Sequence, residues 1–252
     1  MIDSQRPPKK PRSNFTQRVI SALALAPPVL AAVWYGGLPF QVLVAVLAGL
    51  SAWEYYRLVM PGPNRSGHLA FLPLYIGLPF FSMLWLRLES GPYGLALFLF
   101  LMLCIWATDI GAYAAGKSIG GPKLAPRISP KKTWAGLIGG MVASATLGGL
   151  FGAAQSGDWL PGWLVPPAAT DVPHHVHAAA VMAYAAIGAV LAVAGQVGDL
   201  FESYMKRRVD VKDSSSLIPG HGGILDRIDG LLFAAPLYAL FEMTAGEWVR
   251  FW

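Results

Sequence analysis

The sequence predicts an all-α, polytopic integral membrane protein with about seven to nine transmembrane helices, and three observations carry that expectation. The first is composition. Of 252 residues, 55% are hydrophobic and only 13% are charged, against about 25% charged in a typical soluble domain. Mean hydropathy is +0.49, and too little charge remains to clothe a soluble surface. The second is run length: a helix needs about 20 mostly apolar residues to cross a bilayer, and seven stretches approach that length. The third is charge placement. With the N-terminus in the cytoplasm and the spans alternating, 17 of the 19 Lys and Arg fall in cytoplasmic pieces, and only Arg87 and Arg250 fall outside. That is a strong positive-inside bias.

The elements follow in order. Residues 1–18 are polar, basic and proline-containing and read as a flexible tail. The first apolar run, about 19–36, is followed by further spans, so it reads as a retained span rather than a signal peptide. Its Pro27-Pro28 pair predicts a kink or a break. Further spans are expected over about 39–59, 69–86, 93–115, 134–154, 178–198 and 230–249. Residues 19–252 therefore read as a single membrane domain. Cys104, the single cysteine, lies inside an apolar run and is expected to pack as a small hydrophobe. The outer loop 155–177 is proline-rich and carries His174, His175 and His177 without an accompanying carboxylate cluster, so it reads as a plain loop rather than a metal site. The net charge of +5 follows from topology and anionic lipid headgroups and calls for no nucleic-acid partner.

Residues 111–118, GAYAAGKS, fit the phosphate-cradling pattern G-x-x-x-x-G-K-[ST]. That loop must follow a buried strand and open a helix, so that the helix N-terminus meets the phosphates. Here the motif closes a span-length run and is followed by Gly120-Gly121-Pro122. The expected form is instead helical, with Asp109, Tyr113 and Lys117 close to one face.

Most of the polar chemistry lies in two cytoplasmic segments, 106–136 and 195–230. The second alone holds Asp199, Glu202, Asp210, Asp213, Asp226 and Asp229, interleaved with Lys206, Arg207, Arg208, Lys212 and Arg227. Gln196, Asp199, Ser203 and Lys206 form one helical stripe. Asp226 and Asp229 share a face at the start of the last span, where acids also favour the helix dipole. Acidic groups near a membrane are costly and usually face a polar cavity and a partner. Converging carboxylates suit a divalent cation, and Mg²⁺ takes a few carboxylates together with substrate phosphate oxygens. The glycines of PGHGG permit a tight turn that aims N–H groups at an anion, with His221 placed to orient a phosphate or move a proton. These parts match what phosphoryl-type transfer needs, and the apolar surround points to a lipid substrate. A cation transporter using Asp109 and the flanking acids is the alternative. It requires polar groups through the membrane depth, whereas most span centres are apolar.

Ser203, Lys206-Arg207, Lys212-Asp213, Pro219-Gly220-His221-Gly222-Gly223, Asp226-Arg227 and Asp229, at this spacing, resemble the signature of the CDP-diacylglycerol synthases, also called phosphatidate cytidylyltransferases. TDIGAY (108–113), Lys117 and ISPKKTWAG (128–136) resemble the same family, and the likeness covers roughly 100–236. The resemblance implies that CTP and phosphatidate give CDP-diacylglycerol and pyrophosphate with Mg²⁺, with room for a second cation, at the cytoplasmic face of the inner membrane. It implies a homodimer. It implies metal ligands at Asp109, Asp199, Asp226 and Asp229, and catalytic roles for Asp226, Asp229, Lys206 and His221. It implies substrate contacts from Ser129, Lys131, Lys132, Thr133, Ser203, Arg207, Lys212, Asp213, Gly222, Gly223 and Arg227. Two positions depart from the family pattern: Ser215, where Gly is common, and Ala135, where Glu is common.

Overall fold

The computed structural model describes residues 14–61, 65–88, 93–154 and 174–246. The tail up to residue 13 and the loop 155–173 lie outside them, and of His174, His175 and His177 only the helical backbone is described. The order is α1 (Asn14–Tyr35), α2 (Gly37–Val59), α3 (Arg65–Leu72), a π-helical turn (Pro73–Gly77), α4 (Leu78–Leu88), α5 (Gly94–Ser118), β1 (Lys123–Ala125), β2 (Ser129–Thr133), α6 (Trp134–Ala154), α7 (His174–Arg208) and α8 (Leu225–Thr244). The fold is thus nearly all-α, and the expectation of helices alone is corrected by one small antiparallel hairpin, β1–β2. Gly120 and Gly121, both at positive φ, end α5 and open the way into it.

Within the described residues, each of the seven expected spans falls on a helical rod. Five of the described helices are long and apolar enough to cross a membrane: Gly37–Val59, Arg65–Leu88, Gly94–Ser118, Trp134–Ala154 and Ala178–Arg208. Their outer faces are clothed in exposed Leu, Ile, Val, Phe, Trp and Met, including Leu38, Phe81, Ile110 and Met182. Water would penalise that surface and a bilayer would not. Two expectations change in detail. α1 begins at Asn14, inside the segment read as tail, and runs without interruption through Pro27 and Pro28. The break falls instead at Pro73, where Leu78 N–H reaches back to the Pro73 carbonyl and widens one turn between α3 and α4.

Tight backbone contact explains how the rods converge. One face of α6 presents Gly136, Gly140, Ser144, Gly148 and Gly152, all buried and four residues apart. A Cβ built on Gly140 would lie 3.0 Å from the Thr108 carbonyl of α5, and one on Gly148 would lie 2.0 Å from the Tyr184 carbonyl of α7. Small residues let membrane helices approach this closely, where van der Waals packing replaces the hydrophobic drive. Aromatic side chains fill the remaining interior in two groups. Phe71, Tyr75, Phe201 and Phe233 join the π-turn to α7 and α8. Phe100, Phe151, Tyr184, Tyr238 and Phe241 close the other end. Cys104 is fully buried, as expected of a packing residue. Arg87, one of the two cations off the basic side, donates to the Val33 and Trp34 carbonyls at the end of α1 (2.8 and 2.9 Å), where a helix leaves acceptors unpaired.

Candidate active site

The turn 218–223 is built around one carboxylate. Ile218 and Gly222 exchange backbone hydrogen bonds of 2.8 and 3.1 Å. Gly222 sits at φ +86°, and a Cβ there would lie 2.6 Å from Asp226 Oδ2. Asp226 Oδ2 accepts from Ser214 N (2.9 Å), Ser214 Oγ (2.9 Å) and Gly223 N (2.8 Å). Its Oδ1 accepts from Lys206 Nζ at 2.6 Å, and Lys206 also donates to the buried Glu202, one turn earlier on α7.

Beside this hub lies a cavity of about 140 Å³ whose lining includes Asp109 from α5, Asp199 from α7, and Asp226 and Asp229 from α8. The four predicted carboxylates, from three helices, are thus brought to one space. Close backbone contact makes this possible: a Cβ on Gly198 would lie 2.3 Å from the Asp229 carbonyl. The Asp229 side chain accepts from its neighbour's Gly230 N–H (2.8 Å).

A second cavity, about 350 Å³, shares Asp109 and Asp199 with the first and adds Tyr113, Lys117, Lys131, Lys132, Thr133 and Gln196. Lys132 stands at the junction. Its Nζ pairs with Asp199 Oδ2 at 2.6 Å and reaches the Gln196 carbonyl at 3.5 Å. The hairpin delivers Lys131 and Lys132 to this wall and ends at Thr133, whose Oγ1 accepts from Gly136 N at 3.0 Å and so caps α6. Residues 111–118 are the last turns of α5, not a phosphate loop, and Lys117 lies against Tyr113 (3.2 Å to the hydroxyl). Asp109, Tyr113 and Lys117 do share one face, and that face lines the cavity.

Not every predicted residue joins this centre. Ser203 supports it by donating to Asp199 Oδ1 (3.2 Å). Arg227 is exposed on the first turn of α8. His221 turns away, and its Nδ1 lies 2.9 Å from Ser21 Oγ of α1. Arg207 is exposed and donates to the Val211 carbonyl (3.1 Å). Asp213 lines a different cavity, of about 580 Å³, together with Arg57 and Arg208. Ser129 and Lys212 line neither of the two joined cavities. Two residues that pattern reading did not select are central. Glu202 anchors Lys206. Glu54, fully buried on α2, accepts hydrogen bonds from the signature loop. A lone glutamate in an apolar span was the signal for Glu54.

The donor set bears on a cation. Among the described residues, no three His, Cys, Asp or Glu side chains are grouped closely enough to hold a metal by themselves. Asp226 is saturated by donors and Asp199 is paired with Lys132, which leaves Asp109 and Asp229 the least neutralised. Such a set does not make a closed protein cage. It fits Mg²⁺, which takes one or two carboxylates and completes its shell with water and substrate phosphates.

A profile described as "Cytidylyltransferase family" matches residues 62–244. The chain is 43% identical over 169 residues to the phosphatidate cytidylyltransferase of Brucella melitensis, covering 66% of this chain and 55% of that protein. It is 33% identical over 232 residues to that of Rickettsia bellii, covering 90% of each. It is 39% identical over 181 residues to that of Bacillus subtilis, covering 71% of this chain and 60% of that protein. The chain thus spans little more than half the length of the Brucella relative and nearly all of the Rickettsia one.

Proposed function

The chain belongs to the cytidylyltransferase family, and from that premise we propose that it transfers the cytidylyl group of CTP to phosphatidate. A phosphate oxygen of phosphatidate bonds to the α-phosphorus of CTP. The bond from that phosphorus to the bridging oxygen of the β-phosphate breaks, and pyrophosphate leaves with both electrons of that bond. One observation supports this most: a carboxylate-lined cavity shares Asp109 and Asp199 with a larger one lined by Lys117, Lys131 and Lys132, so a polyphosphate can lie along the wall they share.

In this reading the nucleotide phosphates take the larger cavity. Lys132 exchanges its bond to Asp199 for phosphate oxygens, and Lys117 and Lys131 neutralise the pyrophosphate as it forms. Asp109 and Asp229, with Asp199 once Lys132 has moved, would hold Mg²⁺, which when bound would supply positive charge to the phosphate oxygens. Asp226 and Lys206 keep the signature turn shaped around the site. The protein itself forms no covalent intermediate. α1 and α8 complete seven spans with the five apolar ones, the basic side faces the cytoplasm, and the active form is a homodimer in the inner membrane.

The test is pyrophosphate release by detergent-purified protein supplied with CTP, phosphatidate and Mg²⁺. Release dependent on all three, lost with EDTA and in Asp229→Asn, is the expected result. Well-folded protein that releases none with any nucleotide and lipid pair would overturn the assignment.

A further inference from the structure

We propose that Glu54 is a positioning residue that clamps the signature loop and, through it, holds Asp226 in place. Glu54 sits on α2, outside the residues the family profile matches, and is fully buried. Its carboxylate gathers four donors from a segment at least 160 residues away. Ser215 Oγ donates at 2.5 Å, Ile224 N at 3.0 Å and Leu225 N at 2.7 Å. Ser214 Oγ lies 3.3 Å from Glu54 and 2.9 Å from Asp226, so its one proton serves one carboxylate at a time.

Ile224 and Leu225 open α8, where the first N–H groups of a helix lack intrahelical partners and the dipole favours an anion. No side chain of the α8 entry itself caps it. Glu54 does so from another helix. Among the described residues no Lys or Arg lies within ion-pair distance of Glu54, so its buried charge is compensated by neutral donors, and losing them is expensive. The packing admits nothing larger: a Cβ on Gly223 would stand 2.0 Å from Ser214 Oγ and 2.4 Å from Glu54 Oε1. Gly223 N and Ser214 N are in turn two of the donors that fix Asp226. The clamp and the hub therefore share one short loop. Ser215 adds a side-chain donor that glycine would not have.

The activity arm of the test rests on the proposed cytidylyl transfer, whereas the exchange arm does not. Full-length wild type, Glu54→Gln and Ser215→Gly are compared in detergent by hydrogen–deuterium exchange and by steady-state kinetics. The Gln amide keeps one accepting oxygen while its NH₂ cannot accept, so Glu54→Gln should speed exchange by about tenfold or more at whichever of Ile224 and Leu225 loses its acceptor, leaving α5 and α6 protected as in wild type. Turnover should fall by about 10- to 100-fold, the size expected of a small misplacement, with KM for CTP changed less than threefold. Ser215→Gly, which keeps three donors, should show the same pattern at severalfold size. Wild-type exchange at 224–225 in both variants would overturn the clamp. Loosened exchange with unchanged turnover would overturn the positioning role, as would a Glu54→Gln protein that loses protection throughout while Ser215→Gly matches wild type in both measurements. A wild type that shows no transfer yet loosens at 224–225 in Glu54→Gln would support the clamp and count against the activity reading alone.

Discussion

Gly198→Ala tests whether close helix approach is what places Asp229. In the structure a Cβ at 198 would stand 2.3 Å from the Asp229 carbonyl oxygen and 3.2 Å from Phe233 Cδ2, whereas ordinary contact begins near 3.4 Å. Backbone cannot swing aside as a flexible side chain can, so α8 must retreat from α7 by about 1 Å at Asp229. Overpacking of this kind costs about 1–3 kcal/mol. Alanine returns up to about 1 kcal/mol of helix propensity relative to glycine, so the net stability loss stays near 0–2 kcal/mol and the variant should fold. Activity is the sensitive measurement, because a 1 Å misplacement can cost about 100-fold in rate. Pyrophosphate release from CTP and phosphatidate should therefore fall by about two orders of magnitude in kcat. Gly149→Ala is the control. Its Cβ would meet Ala185 Cβ at 3.7 Å and Val181 Cγ1 at 3.8 Å, which is ordinary contact, and its activity should match wild type. A Gly198→Ala enzyme with wild-type kcat would refute the idea that the α7–α8 approach sets the site.

Three further outcomes follow from the same geometry. Lys206→Met leaves Glu202 and Asp226 as two buried carboxylates without their shared cation, and should cost about 3–5 kcal/mol by thermal or denaturant unfolding in detergent. Asp229→Asn puts a neutral amide in place of one of four carboxyl groups that line one cavity. Without metal or substrate it should raise the melting temperature by a few degrees while abolishing turnover, a trade of stability for function. A lowered melting temperature would count against the repulsion. Thr133→Val keeps the shape but deletes the Gly136 N–H cap, and should cost about 1 kcal/mol of stability, read from the same melting curves.

Pattern alone determined the helical, membrane-embedded class, because hydropathy, span length and Lys/Arg asymmetry are local properties of the chain. It also located the signature carboxylates. The side chain of each acid sits at a helical spacing that composition cannot hide, and Asp109, Tyr113 and Lys117 do share the face that their i, i+4, i+8 spacing implies. The division of labour among those residues was not legible. Asp226 and Asp229 read alike, three residues apart, yet one is saturated by Lys206 and loop amides and the other accepts from the Gly230 N–H and lines the cavity with Asp109 and Asp199. His221 reads as catalytic by its motif, yet it turns toward Ser21. The small hairpin that carries Lys131 and Lys132 was hidden because its strands are too short for an alternation signal. Glu54 was hidden for the opposite reason: its partners lie at least 160 residues away. Only the tertiary structure decides which buried carboxylate meets which donor, since hydrogen bonds depend on distances of a few tenths of an ångström that glycine-mediated helix packing sets.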